Sequence, residues 1–320
     1  MANLFNDKLN LSAVVGTSFD STCFKPLRPK YVFESMTKEK TWNLNTNPNK
    51  GDAIVFTVLG AWSANTAALS PTAATIVGSQ TLSKTRKSIA MTLYGDKTIM
   101  DTLELKAESF QDDFSDAAFN LADQAYNSMN TLVRATMDLN MYVNGISGTK
   151  SILYHMYASG GFTTATTAAA CGPLKAKDVR AVVAKLRSTN VQPFADGKYR
   201  AIISSAQYTQ LRADTENSAW SNSILYSDGA YLAVGAMGDF EGVTFFVSDE
   251  VTKSATYHTA YFIAPEFIGK AIGKDISVNT NPVLHGPFGN LMIMHWTALV
   301  GYGIIRREAG IIVESDTTVQ

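Results

Sequence analysis

The chain reads as an α+β protein, and three observations point there. Apolar residues alternate with small or polar ones in short runs that fit strands, at residues 52–58 and 88–94. They then recur at three- and four-residue steps through residues 114–144, the period of one long helix. Shorter helical and strand-like runs follow to the C-terminus, as in a body built behind an extended start.

Residues 1–50 carry Pro26, Pro29 and Pro48 and an Asn-rich stretch, 43–49, without helical period. So long an irregular segment is uncommon inside a domain, and it reads as an arm lying on other chains or on the body and ordered by its neighbours. In 52–58, Ile54, Phe56 and Val58 alternate with Ala53, Val55 and Thr57; in 88–94, Ile89, Met91 and Leu93 alternate with Ala90 and Thr92. Between the two runs nearly every residue is small or polar, with Pro71 and Gly78, which describes an extended hairpin. Its return carries Lys84, Arg86 and Lys87, which suits a tip that meets a partner.

The long helix is announced by Ser109 and Asp112, a capping-box spacing with an acid in place of Glu, and by Asp113 and Asp116 at the positive end of the helix dipole. Phe114, Ala118, Leu121, Ala122, Ala125, Met129, Leu132, Val133 and Thr136 share one face, and Asn144-Gly145 supplies a stop. At 1.5 Å per residue the helix spans about 45 Å. A strand-like piece at 151–157 follows. Pro173 then opens a second helix with Leu174, Val179, Val182, Val183 and Leu186 buried; a strand at 200–203 leads to a short helix capped by Ser205; and strands are expected at 243–247, 257–263 and 291–305.

The composition narrows the partners. Hydrophobic residues make up 46% of the 320 and charged residues only 17%, against roughly 25% in ordinary soluble domains. Much of the surface is therefore uncharged or covered by other chains. A net charge of −1 advertises neither nucleic acid nor anionic lipid as a primary ligand, so contact with DNA is expected to be weak and non-specific. Cys23 and Cys171 form neither a disulfide framework nor a zinc pattern. The first ten residues lack the apolar run of a signal peptide. The most apolar stretch, 291–305, is interrupted by His295, Thr297 and two glycines, so no membrane span is expected.

Several motifs invite an active-site reading and fail on chemistry. Gly301-Tyr302-Gly303 is followed by Arg306 where a dinucleotide loop needs its third glycine, and then by an apolar strand, 311–313, instead of a helix. Those glycines are expected to let a strand bend or another backbone come close. His155, His258, His285 and His295 lack metal-ligand spacing; His285 reads as a turn residue and His295 as part of a strand. No serine stands in Gly-x-Ser-x-Gly, and Cys23 has no nearby histidine. Asp112, Asp113 and Asp116 are explained by the helix dipole. Catalytic, cofactor and metal sites are accordingly expected to be absent. Lys25, Arg28, Lys84, Arg86 and Lys87 are the candidates for inter-subunit contact.

The order of arm, hairpin, long helix, second helix (175–188), strand-helix Arg200-Ala-Ile-Ile-Ser-Ser-Ala-Gln-Tyr and terminal Val300-Gly-Tyr-Gly-Ile-Ile-Arg-Arg-Glu-Ala-Gly-Ile-Ile-Val-Glu-Ser resembles a tailed-phage major capsid protein of the Hong Kong 97-like fold. Within that group it is most similar to the N-four-like podophage branch. The resemblance implies an N-terminal arm (1–50), an extension loop (51–100), a peripheral domain on the spine helix (101–198 with 290–320) and an axial domain (199–289). It further implies hexamers and pentamers closing an icosahedral virion shell, assembled in the host cytoplasm around double-stranded DNA. Its partners would be other copies of itself, a separate scaffolding protein, a portal protein and a decoration protein. Certain relatives join an extension-loop Lys to a neighbour's Asn; Lys84 and Lys87 lie in a fitting loop, but the sequence identifies no partner for them. An encapsulin-type shell protein and a soluble α/β enzyme are the alternatives.

Overall fold

The computed structural model describes residues 32–41, 53–62, 64, 66, 81–101, 113–145, 147–162, 171–214, 236–254, 257–285 and 291–317. In chain order the strands are β1 (Lys38–Thr41), β2 (Ala53–Leu59), β3 (Lys84–Ala90), β4 (Thr92–Asp101), β5 (His155–Tyr157), β6 (Tyr199–Ile203), β7 (Ala236–Phe240), β8 (Val243–Val247), β9 (Tyr257–Ile263), β10 (Ile268–His285), β11 (Leu291–Ile304) and β12 (Gly310–Asp316). The helices are α1 (Asp113–Asp138), α2 (Ala176–Ser188) and α3 (Ser205–Ala213). Among the described residues the strands make a four-stranded sheet, β1-β10-β11-β4, a six-stranded sheet, β5-β12-β9-β6-β8-β7, and the two-stranded ribbon β2-β3.

The alternation around residue 90 belongs to two strands. β3 pairs with β2 in the hairpin, and one residue later β4 leaves the hairpin to run antiparallel to β11, from Thr92 opposite Val300 to Asp101 opposite Leu291. Three strands give little sequence signal. β1 reads Lys-Glu-Lys-Thr and is exposed throughout; β7 is five residues long; and β10 runs 18 residues through Asn, Gly and Pro. β10 exists because it is bonded along both edges, parallel to β1 and antiparallel to β11. Three register shifts along the β11 edge absorb its irregular sequence.

The long helix is shorter than its periodicity suggests. α1 has 26 residues, about 39 Å at 1.5 Å per residue, and closes through a 3-10 turn at Leu139–Met141. Asn144-Gly145 lies beyond that end, Gly145 taking the left-handed φ of +68° in the following turn. The helix stops early because Arg307 reaches its end. The Arg307 guanidinium donates to the carbonyls of Asn140 (3.1 Å), Val143 (2.6 Å) and Tyr142, while Asn140 Nδ2 donates to the carbonyls of Arg307 (3.1 Å) and Gly310 (2.8 Å). Carbonyls that a further turn would use are thereby claimed. The proposed cap at Ser109 and Asp112 lies outside the described residues.

α1 joins two cores. Leu121, Ala125 and Met129 pack on Met294, Trp296, Ala298 and Val300 of β11, whereas Val133, Met137 and Met141 belong to the larger core between α2 and the six-stranded sheet. In that core Val179, Val182, Val183 and Leu186 of α2 meet Ala201, Ile202, Phe262 and Ile312. β12 is hydrogen-bonded to β9 and β5 inside the six-stranded sheet, and α2 packs against that sheet, while β10 belongs with β11.

α3 is capped by Ser204 rather than Ser205. Gln207 N donates to Ser204 Oγ at 3.2 Å and Ser204 N donates to Gln207 Oε1 at 2.9 Å, a reciprocal capping box. Ser205 is the first helical residue, and its hydroxyl donates to Asp249 instead.

Candidate functional site

The hairpin is seated on a strip of glycines. Ile54, Phe56 and Ile89 from β2 and β3 are buried against Ala271 of β10 and Ile305, and the sheet beneath them carries glycine at its points of closest approach. A Cβ on Gly301 would stand 2.0 Å from the carbonyl oxygen of Ala90, one on Gly303 2.9 Å from Ile89, and one on Gly269 3.0 Å from both Ile89 and Phe56. Gly273 is likewise covered by Met91 at 3.0 Å. The Gly-Tyr-Gly motif of β11 therefore serves close approach of another backbone.

Beyond this seat the ribbon emerges with an unburied face. Val55, Thr57 and Leu59 lie opposite Ser88, Arg86 and Lys84 in the register, and all six are exposed. Trp62 and Leu82, at the distal end, are also exposed. Lys87 shares the other face with Ile54 and Phe56 and is itself exposed. Lys84, Arg86 and Lys87 thus sit within β3, not in the loop beyond it. Lys25 and Arg28 lie outside the described residues.

The last part of the expected arm is held by its own chain. Phe33 is fully buried, stacks edge-on against Tyr261 with ring centres 5.2 Å apart, and donates its backbone N–H to Asn130 Oδ1 at 3.0 Å. Asn130, itself buried, also donates to Glu250. Lys270 of β10 donates to Glu34 at 2.7 Å and to Glu39 at 3.2 Å, and Lys38 pairs with Glu266. These contacts hold residues 32–41 against the body.

The titratable groups are structural in placement. His155 is fully buried and bonds Glu314 at 3.0 Å, and Lys150 bonds the same carboxylate. Burial alone would raise the Glu314 pKa, but the hydrogen bonds from His155 and Lys150 outweigh it and hold the carboxyl below the ordinary range. Burial pushes the Cys171 thiol up to about 12, with the Glu314 charge adding to the effect, so it carries no reactive thiolate. Cys23 lies outside the described residues. His258 Nδ1 stands 2.9 Å from Ser204 Oγ, and its pKa is lowered by burial and then by Lys253. That serine is fully buried as the cap of α3, so the pair lacks the accessible hydroxyl that nucleophilic attack requires. His295 lies within β11, and His285 closes β10 opposite Leu291. Among the described residues no three His, Cys, Asp or Glu side chains stand together as a metal site would require, and no helix is long and apolar enough to cross a membrane. Residue 112 lies outside the described residues.

Among the described residues two open concavities run along one side of α1. A cleft of about 510 Å³ is lined by Asp96, Lys97 and Thr98 of β4 and by Asn120, Leu121 and Gln124 of α1. A second, of about 320 Å³, continues along the same two elements at Tyr94, Asn127, Ser128, Thr131 and Leu132. β4 is the outer strand of its sheet. Sequence reasoning missed these clefts and the Glu314, Asn130 and Arg307 contacts, because each is built from residues far apart in the chain.

No protein-family model matches the chain, and no curated protein is similar to it in sequence. Solved structures are similar in fold. The capsid of Ralstonia phage GP4 superposes with a TM-score of 0.71 at 11% identity, covering 94% of each chain. The capsid of cyanophage P-SCSP1u gives a TM-score of 0.69 at 14% identity, covering 95% of this chain and 94% of that one. The acid-stable capsid of Helicobacter pylori bacteriophage KHP30 gives 0.68 at 12% identity, covering 99% and 98%. At such identities the likeness establishes a shared α+β architecture, the Hong Kong 97-like fold.

Proposed function

We propose that this chain is the major capsid protein of a tailed phage, a structural subunit that self-assembles through hexamers and pentamers into an icosahedral shell around double-stranded DNA. The observation that carries the reading is the fold shared along more than nine-tenths of both chains with proteins solved as phage capsids. The hairpin supports it. A ribbon that buries its root and leaves Val55, Leu59, Trp62 and Leu82 exposed gains cover only from other molecules. Interfaces of obligate assemblies bury about 2,000 to 5,000 Å², an area that also accounts for the low charge fraction of the sequence.

In this reading the ribbon β2-β3 is the extension loop. The peripheral domain spans 101–198 with 290–320 and carries α1 as its spine, and the axial domain spans 199–289. The role is structural and involves no turnover. The near-neutral chain encloses DNA without the salt-sensitive grip that many phosphate contacts would give. Assembly takes place in the host cytoplasm with a separate scaffolding protein, a portal and a decoration protein, and the sequence texture supports the N-four-like branch. The fold comparisons favour neither an encapsulin nor an enzyme.

The test is negative-stain microscopy of the purified chain, alone and co-expressed with the scaffolding gene beside it. Closed shells or capsomer rings are expected. A monodisperse small oligomer that persists with the scaffold present rejects the reading.

A further inference from the structure

α1 ends before Asn144-Gly145, so this pair is not the helix stop that its sequence suggests. It is the one Asn-Gly pair in the chain. It stands in a loop whose ends are tied, Val143 N donating to Thr149 O at 2.9 Å and Ser151 N to Met141 O at 2.7 Å. Asn144 is exposed, and its side-chain amide has no hydrogen-bond partner among the described residues. Gly145 holds a φ of +68°, with open space where a Cβ would be. Nothing on residue 145 therefore shields its nitrogen from the Asn144 side chain.

That nitrogen is lightly held. It donates to Tyr142 O at 3.2 Å, the long end of the N–H···O range, and the same carbonyl also accepts from Arg307 Nη2. The turn at Asp196-Gly197 is the contrast. Gly197 has a similar φ of +77°, but its nitrogen donates to Phe194 O at 2.8 Å and Asp196 Oδ1 is occupied by Lys198 N at 3.0 Å.

Arg307 stands beside the loop with only neutral acceptors. Its guanidinium reaches Val143 O at 2.6 Å, Asn140 O at 3.1 Å and Asn140 Oδ1 at 3.1 Å, and it lies 4.8 Å from the ring centre of Tyr154. No carboxylate pairs with it among the described residues.

We infer that Asn144 is a self-modifying site, deamidated by attack of the Gly145 nitrogen, and that Arg307 receives the carboxylate so made. Hydroxide takes the proton from Gly145 N, the nitrogen's electron pair forms a bond to Asn144 Cγ, and the Cγ–Nδ2 bond breaks to release ammonia. Water then opens the cyclic imide at either carbonyl, giving aspartate or isoaspartate. In sum one amide and one water become one carboxylate and one ammonium, with nothing oxidised or reduced. Residue 144 adjoins Val143, whose carbonyl the guanidinium already holds, and neighbouring Cα atoms lie about 3.8 Å apart. An acid at 144 is therefore within one side chain's reach of Arg307, and its charge-assisted bond is stronger than those to neutral carbonyls. The product is a slow clasp between the end of α1 and the start of β12. This chemistry does not depend on the capsid reading.

The test incubates the purified full chain at mildly alkaline pH and follows the peptide holding residues 144–145 by mass spectrometry. Asn144 is expected to convert at a rate within about tenfold of that in the urea-unfolded chain, while Asn127-Ser128 inside α1 stays intact. Gly145→Ala is expected to keep the parental circular-dichroism spectrum and to slow conversion about tenfold. At low salt, Asn144→Asp is expected to slow amide exchange at residues 141–143 about two- to fivefold, the range of an exposed ion pair, and Arg307→Gln to abolish that difference. The inference is overturned if the folded chain keeps Asn144 intact while the unfolded chain converts it, or if Asn144→Asp exchanges no more slowly than the parent at low salt.

Discussion

Gly301→Ala tests the seat of the hairpin most directly. The added methyl would lie 2.0 Å from the carbonyl oxygen of Ala90, 2.9 Å from its carbon and 3.2 Å from Ile89 Cγ2. Carbon–oxygen contacts between neighbouring strands settle at about 3.3–3.6 Å, so Ala90 must retreat by more than about 1 Å. The obstacle is backbone, and no side-chain rotation relieves it. Overpacking of this kind costs about 1–3 kcal/mol when the surroundings yield. Lifting the root clear would instead expose Ile54, Phe56 and Ile89, at about 1.5–3 kcal/mol each. Strain is the cheaper outcome, so the loss should fall near 3 kcal/mol, with the hairpin tilted away from β11. Urea denaturation followed by circular dichroism measures the loss, and amide exchange at Ser88, Ile89 and Ala90 reports the tilt. Gly145→Ala is the control. It meets open space at φ +68°, so it should cost only the left-handed penalty of about 1–2 kcal/mol and leave hairpin exchange unchanged. A Gly301→Ala protein within about 0.5 kcal/mol of the parent, with equally protected hairpin amides, would refute the reasoning.

Glu314→Ala removes the acceptor shared by Lys150 and His155, leaves a mostly buried ammonium unpaired, and should destabilise the chain by about 3–5 kcal/mol in the same urea assay. Because the native pKa of Glu314 lies below the ordinary glutamate value of 4.5, its contribution is present above that pH and is lost as the pH falls through the native pKa. The parent's acid limb should therefore be steeper than that of Glu314→Gln in pH-dependent melting. Asn130→Ala strips the acceptor from the buried Phe33 N–H and should cost about 1–3 kcal/mol, with protease cleavage appearing first in residues 32–41; an unchanged digestion pattern would count against that role. Arg307→Ala releases the carbonyls at the end of α1, and exchange at residues 139–143 should rise without change at 121–133.

Legibility in the sequence followed the source of order. Where a segment is organised by its own periodicity, as in α1, α2, β8, β9 and β11, spacing placed it to within a few residues. Where the order comes from partners distant in sequence, the sequence was silent. β1 is four polar residues held by β10 some 230 positions later, and β10 carries no alternation because its bonding comes from both neighbours. Helix ends were misplaced for the same reason, since Asn144-Gly145 is a plausible local stop but Arg307 acts first. The hairpin cations were legible as part of the hairpin's return. Their strand position, and the glycines that aim them, required the register of β3 against β2 and the packing of β3 on β11.

The pairing of β1 with β10 also sets a schedule. At about 5–20 residues per second of synthesis, β1 leaves the ribosome some 10 to 50 s before its partner exists. Through that interval Phe33 lacks Tyr261, and the buried side chains of β2 and β3 lack their seat because Gly269, Gly301 and Gly303 have not been made. The hairpin therefore cannot take its final bearing until nearly the whole chain is complete. The bearing of the hairpin is thus a late property of the chain, reached only once the strands that seat it have been made.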